Sequence, residues 1–312
     1  MSKKLLEALP DFLVIGAGKS GTTSIDKYLN QHPGIFVPKK KEPNFFGYEN
    51  VKEDDLRENP DDLAHFRNSV TTLEQYLSIF GDARPGQKRG ETSNTYMYHK
   101  DAPHRIRHYI PDVKLIAILR QPADRLFSRY MHLVRENRPP SKNFSDCLNK
   151  DSIWWQRNDL VKEGFYCKHL STFFELFPRE NILVYLYEDF RDDPRKVMKE
   201  IYGLIGVDQS FEPDVSMRYN ESGVIKNTLL NRIYGQGGWI SKFLQKFLPE
   251  IYQRLKGSLP LKKKMLDLRR KNLAKLEMDA TIRKALTLNV YGEDIRQLEK
   301  LLRRDLSHWL KV

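Results

Sequence analysis

An apolar run, Phe12-Leu13-Val14-Ile15, passes directly into Gly16-Ala17-Gly18-Lys19-Ser20-Gly21-Thr22-Thr23-Ser24. Ile25, Tyr28 and Leu29 then recur at helical spacing. A strand that turns into a helix through glycines lets the backbone approach an anion closely, and the helix N-terminus aims N–H groups and partial positive charge at it. Lys19 adds a point charge, and hydroxyls follow at Ser20, Thr22, Thr23 and Ser24. A turn that only connects two elements needs few of these groups. The loop is expected to bind phosphate.

Other apolar runs read as strands buried on both faces: Leu115-Ile116-Ala117-Ile118-Leu119 and Ile182-Leu183-Val184-Tyr185-Leu186-Tyr187. Shorter candidates are Ile35-Phe36-Val37 and Gly90-Glu91-Thr92. Polar turns and helical patterns between them are the signature of parallel βαβ units. The chain therefore reads as α/β, a P-loop-like open parallel sheet flanked by helices, with an additional C-terminal helical subregion. Its 312 residues suit one large domain. The nucleotide-binding core is expected over 10–222, a helical acceptor or lid segment without strands over 229–286, and a C-terminal helix packed on the core over 287–312.

No stretch of about 18 apolar residues is present, so no membrane span is expected. The first ten residues lack the apolar centre and cleavage site of a signal peptide. Cys147 and Cys167 fall in helical patterns and read as reduced packing thiols in a cytoplasmic protein. The net charge of +12 is concentrated: residues 241–271 carry ten Lys or Arg against Glu250 and Asp267. Nucleic acid, an anionic membrane surface or an acidic small substrate each suit such a patch. No nucleic-acid motif accompanies it.

Three phosphate-binding designs fit a glycine-rich first turn. A Walker A loop requires Lys directly after its last glycine, where this chain has Thr22. A kinase or ATPase also needs an acid for Mg²⁺, yet the strand 115–119 ends in Arg120; Glu188-Asp189 are the substitutes on offer. Residues 16–21 spell G-x-G-x-x-G, so an NADP-dependent Rossmann oxidoreductase is the rival reading. Against it, Pro38 and Lys39 stand where the ribose-binding acid belongs.

A second anion site follows Arg120. There the chain reads Arg120-Gln121-Pro122-Ala123-Asp124-Arg125-Leu126-Phe127-Ser128-Arg129-Tyr130. Arg120 ends a buried strand, where open α/β sheets bind ligands, and Pro122 suits a first helical turn. Ser128 lies two turns further on. Two phosphate sites suit a nucleotide with both 5′ and 3′ phosphates.

At these residues the chain resembles the sulfotransferases that use 3′-phosphoadenosine-5′-phosphosulfate (PAPS). The first loop resembles their 5′-phosphosulfate loop and 120–130 their 3′-phosphate motif. Glu163-Gly164-Phe165-Tyr166, Tyr187-Glu188-Asp189-Phe190 and Asp193-Pro194 continue the likeness, as does the end of the chain from Leu301 to Leu310. The bacterial and heparan-sulfate-type branch is the most similar.

The resemblance implies transfer of a sulfuryl group from PAPS to a hydroxyl or amine of a small metabolite or saccharide, without a metal. It assigns donor binding to Gly18, Lys19, Ser20, Gly21, Thr22, Thr23, Ser24, Arg120, Ser128 and Tyr166. Gly223 and Lys226, in a loop like the family's late nucleotide-binding loop, would close over the 3′ phosphate. In Lys41-Glu42-Pro43-Asn44-Phe45-Phe46 the catalytic base maps to Glu42. Lys19 would also neutralise the leaving oxygen. Other branches use a histidine, but His32, His99, His104 and His108 sit in no matching motif. In Gly90-Glu91-Thr92-Ser93, Thr92 departs from the lysine that heparan-type enzymes often carry after the glutamate. The lysine-rich span 239–272 is expected to form a lid over the acceptor or a surface contact.

Overall fold

The computed structural model describes residues 8–56, 60–216, 224–225, 273–274 and 276–312. The expectations for Gly223, Lys226 and nearly all of 229–275 lie outside those residues. Five strands form one parallel sheet: β1 (Phe12–Gly16), β2 (Ile35–Phe36), β3 (Lys88–Thr92), β4 (Lys114–Leu119) and β5 (Ile182–Leu186). Their spatial order is β2-β3-β1-β4-β5. The main helices are α1 (Thr22–Leu29), α2 (Pro122–Arg135), α3 (Tyr166–Leu176), α4 (Pro194–Ile205) and α5 (Gly292–Leu302).

That order overturns the dinucleotide alternative. A Rossmann sheet places its second strand beside the first; here β3 lies between them and β2 forms the edge.

Successive strand residues point to opposite faces, and both faces are covered. Leu13, Ile15, Leu115, Ala117 and Leu119 face one core with Leu170 of α3 and Ile295 of α5. Phe12, Val14, Ile116 and Ile118 face the other, with Ile25 and Leu29 of α1 and Val197 and Ile201 of α4. This explains why β1 and β4 read as unbroken apolar runs.

β1 runs one residue longer, to Gly16, and β4 begins one residue early, at Lys114. Three other boundaries also differ from expectation. β2 stops at Phe36, because Pro38 beyond it has no N–H to pair. β5 stops at Leu186: the Asp189 carboxylate accepts from Leu186 N–H at 2.9 Å and starts a helix at Tyr187. β3 begins two residues early, at Lys88, whose ammonium reaches Asp11 at 2.9 Å while Arg89 N–H donates to the same carboxylate. Polar residues satisfied this way leave no hydropathy signal. A further difference corrects the strand-free reading of 229–286. Leu273–Ala274 pairs antiparallel with Val224–Ile225 (β6 and β7 in chain order being 224–225 and 273–274). Two-residue strands are too short to show a period.

The C-terminal segment braces the sheet's carboxyl edge. Trp309 Nε1–H donates to Glu188 Oε1 at 3.0 Å, and Arg304 makes two 2.6 Å bonds to Asp189. The acids suggested as a metal site are thus held by the last turns of the chain.

Candidate active site

A cleft of about 860 Å³ opens at the carboxyl ends of the strands. Each strand contributes the residues that follow it: the 18–24 loop after β1, Lys41 and Glu42 beyond β2, Asn94 after β3, Arg120 after β4 and Tyr187 after β5.

The loop after β1 is built for an anion. Gly21 holds φ +107°, a left-handed angle that costs little only without a Cβ. No side chain caps the α1 N-terminus, and no acid sits in its first turn. Lys19 lines the cleft, and no described carboxylate lies within ion-pair distance of it. Burial, then Arg129, Arg135, Lys41 and Arg120, push its pKa from the ordinary 10.5 down to about 7. The buried Ser20 Oγ has no hydrogen-bond partner among the described residues. Surplus donors and uncompensated cations fit a phosphosulfate.

Gly18 faces the opposite way. Its N–H donates to Glu163 Oε1 at 2.7 Å, and a Cβ there would meet that oxygen at 2.9 Å. Glu163 Oε2 in turn pairs at 2.6 Å with Arg125, which has no exposed side-chain surface. Burial opposes the Arg125 charge, but Glu163, together with the smaller contributions of Tyr166 and Tyr291, offsets this and the Arg125 pKa is raised. Beside this pair, Arg129 and Arg157 grip Asp159. Burial opposes that carboxylate, yet Arg129 and Arg157 keep it well below the usual range. Arg125, Arg129 and His132 share one face of α2, at i, i+4 and i+7 spacing. That spacing was the available sequence signal for Arg129 and His132, which line the cleft and were not anticipated. Asp159 and Glu163 carried no role in the sequence reading.

Arg120 also lines the cleft. It stacks over the Tyr187 ring at 5.0 Å and reaches Lys19 O at 3.5 Å, with no acid paired to it among the described residues. Tyr166 is buried behind it and donates its hydroxyl to Arg120 O at 2.9 Å, so it supports the arginine and does not line the cleft. Ser128 is likewise buried and outside the cleft wall. Gly18, Lys19, Gly21, Thr22, Thr23, Ser24, Arg120 and Glu42 are brought together there.

The turn carrying Glu42 is gripped by four consecutive residues, the last of β3 and the three after it. Glu42 N–H donates to Thr92 O at 3.1 Å and Asn44 N–H to Ser93 Oγ at 3.0 Å. Asn94 Nδ2 donates to Glu42 Oε1 at 3.0 Å and Thr95 Oγ1 to Asn44 Oδ1 at 2.8 Å. These bonds hold Glu42 (φ +53°) and Asn44 (φ +52°) in the left-handed region. Lys19 has the same unusual backbone, at φ +67°. Such strain costs on the order of 1–3 kcal/mol per residue and collects at functional sites. The Thr92 side chain turns away and hydrogen-bonds Asp26. Of the histidines proposed as alternative bases, none lines the cleft; His65 and His132 do. Both His132 ring nitrogens are engaged, by Arg135 and Glu136.

Beneath the turn, Glu91 accepts from Tyr76, Tyr96 and Ser93 hydroxyls at 3.2, 2.7 and 2.8 Å. Burial pushes its pKa from 4.5 to about 7, against the pull of those three donors. The folded protein therefore keeps a proton that the unfolded chain releases above about pH 4.5, and stability declines as pH rises from there to about 7. Urea unfolding of wild type and Glu91→Gln at pH 5 and pH 8 is expected to show the balance moving toward the variant at pH 8. A difference independent of pH would remove Glu91 as the source.

The sulfotransferase domain model matches residues 9–227 of the chain. The chain belongs to the sulfotransferase family. It is 26% identical over 228 residues to the bifunctional heparan sulfate N-deacetylase/N-sulfotransferase 3 of Mus musculus, covering 70% of this chain and 24% of that protein. It is also 26% identical over 204 residues to the human heparan sulfate glucosamine 3-O-sulfotransferase 6, covering 64% of this chain and 52% of that one. The sulfotransferase thus spans about a quarter of the first relative and about half of the second. Among solved structures, a sulfotransferase from Alicyclobacillus acidocaldarius superposes with a TM-score of 0.68 at 26% identity, covering 97% of this chain and 99% of that one. No helix among the described residues is long and apolar enough to cross a membrane.

Proposed function

We propose that this sulfotransferase uses PAPS as donor and transfers its sulfuryl group to a hydroxyl or amine of a saccharide or small metabolite. Lys19 and the α1 N-terminus hold the 5′-phosphosulfate, and Arg120 receives the 3′ phosphate. Glu42 takes the acceptor proton as oxygen or nitrogen attacks sulfur. The bond from sulfur to the bridging oxygen breaks, and Lys19 neutralises the charge left on the 5′ phosphate.

One observation carries this reading. Lys41 Nζ lies 2.5 Å from Thr23 Oγ1 on the donor loop and 3.8 Å from Glu42 Oε1, so a single side chain spans donor site and carboxylate. The relatives named for heparan sulfate favour a saccharide acceptor. The lysine-rich span 239–272 suits an acidic one, as the segment expected to cover the acceptor.

Labelled PAPS incubated with heparan sulfate, N-desulfated heparan sulfate and polar metabolites tests the proposal. The product's linkage separates N- from O-transfer. Glu42→Ala is expected to retain affinity for the product nucleotide, 3′-phosphoadenosine-5′-phosphate (PAP), while transfer falls by roughly 10²–10⁴-fold. Undiminished transfer would take Glu42 out of the mechanism.

A further inference from the structure

The two oxygens of the Glu42 carboxylate are not equivalent. Oε1 receives Asn94 Nδ2–H at 3.0 Å and has Lys41 Nζ at 3.8 Å. Oε2 receives a hydrogen bond from no described residue, and the side chain keeps 34% of its surface exposed at the cleft. The Asn94 amide has one possible orientation. Turned over, its Oδ1 would face Glu42 Oε1, two acceptors with no proton between them. The present orientation leaves the buried Oδ1 without a partner among the described residues, a cost of about 1–3 kcal/mol that the contact to Glu42 must offset.

We infer that Asn94 is a positioning residue for sulfuryl transfer: it occupies Oε1 of Glu42, fixes the plane of the carboxylate, and leaves Oε2 as the oxygen that takes the acceptor proton. The inference rests on Glu42 being the base. Backbone placement of the turn comes from Thr92, Ser93 and Thr95. Asn94 alone of the four touches the carboxylate itself. Its geometry therefore governs a torsion that the other three bonds leave open. A carboxylate free to rotate would present Oε2 to the acceptor only part of the time, and misplacement by about 1 Å can cost on the order of 10²-fold in rate.

The charged groups around Glu42 are Lys41 beside it, Lys19 across the cleft, and Asp26 on α1, which feels the Glu42 charge. None of them is altered by replacing Asn94.

The test measures PAP release from PAPS, with N-desulfated heparan sulfate as acceptor and with water alone. Asn94→Ala is expected to lower kcat by roughly 10–100-fold with KM for PAPS, PAP affinity and melting temperature near wild type. In a Glu42→Gln background Asn94→Ala costs nothing more, since the group it acts through is gone. Two results overturn the inference while leaving the base in place: a loss carried by KM, or equal losses with and without Glu42. Wild-type turnover by Glu42→Gln alone would instead overturn the base assignment.

Discussion

Replacing Lys19 by methionine is expected to reduce PAPS turnover by on the order of 10²–10³-fold and, below pH 7, to raise the stability of the nucleotide-free protein. The two effects share one cause. Lys19 is buried among Arg129, Arg135, Lys41 and Arg120, which hold its pKa near 7 against an ordinary 10.5. Between those values the unfolded chain binds the proton and the folded protein does not, so stability rises with pH across that window. Below about 7 both states are protonated, and the folded protein carries the full cost of the crowded cation. Methionine keeps most of the length of the side chain and removes that cost. The variant's advantage in melting temperature is therefore expected to be largest at pH 6 and to fade toward pH 10. A nucleotide with anionic 5′ and 3′ groups reverses the balance, since it favours charged Lys19. PAP binding at pH 8 is accordingly expected to take up a proton, read by calorimetry in buffers of different ionisation heat. Equal melting temperatures at pH 6, or turnover within tenfold of wild type, would contradict this account.

The largest loss of stability is expected at Glu163. Glu163→Ala leaves Arg125 charged, buried and unpaired, and removes the acceptor for Gly18 N–H. Breaking a buried ion pair from one side costs about 3–5 kcal/mol. Glu163→Gln is expected to cost less, because its amide oxygen still accepts a hydrogen bond from one of the two groups. The Ala variant should also bind PAP less tightly, since Gly18 is part of the donor loop. Urea unfolding together with PAP titration measures both. A loss under about 1 kcal/mol in Glu163→Ala would mean that water reaches Arg125 and that the pair does little.

Much of this protein is determined locally and can be read along the chain. An apolar run buried on both faces, followed by glycines and hydroxyls, specifies a strand, an anion-binding turn and a helix with no reference to anything distant. The same holds for Arg120 at the end of β4 and for Pro122 at a helix start. These features depend on backbone geometry and on nearest neighbours. They survived in the structure with shifts of a residue or two, three of them caused by one proline or one carboxylate.

The rest was decided by contacts between residues far apart in sequence, which composition and periodicity do not record. Glu163 looks like one more surface acid, yet 145 positions from Gly18 it fastens the donor loop to α2. Glu188 and Asp189 look like candidates for a metal, until Trp309 and Arg304 of the last turns occupy them. Ser128 and Tyr166 belong to motifs that mark the donor site, but the fold buries them behind its wall. The anion-binding loop itself shows the same division. The strand, the glycine turn and the helix from which phosphate binding is expected were local and legible from the order Gly16 to Ser24. The loop's partnership with Glu42 was not, because only the order β2-β3-β1 brings the segments after β1, β2 and β3 to one edge, where Asn94 and Lys41 reach the carboxylate.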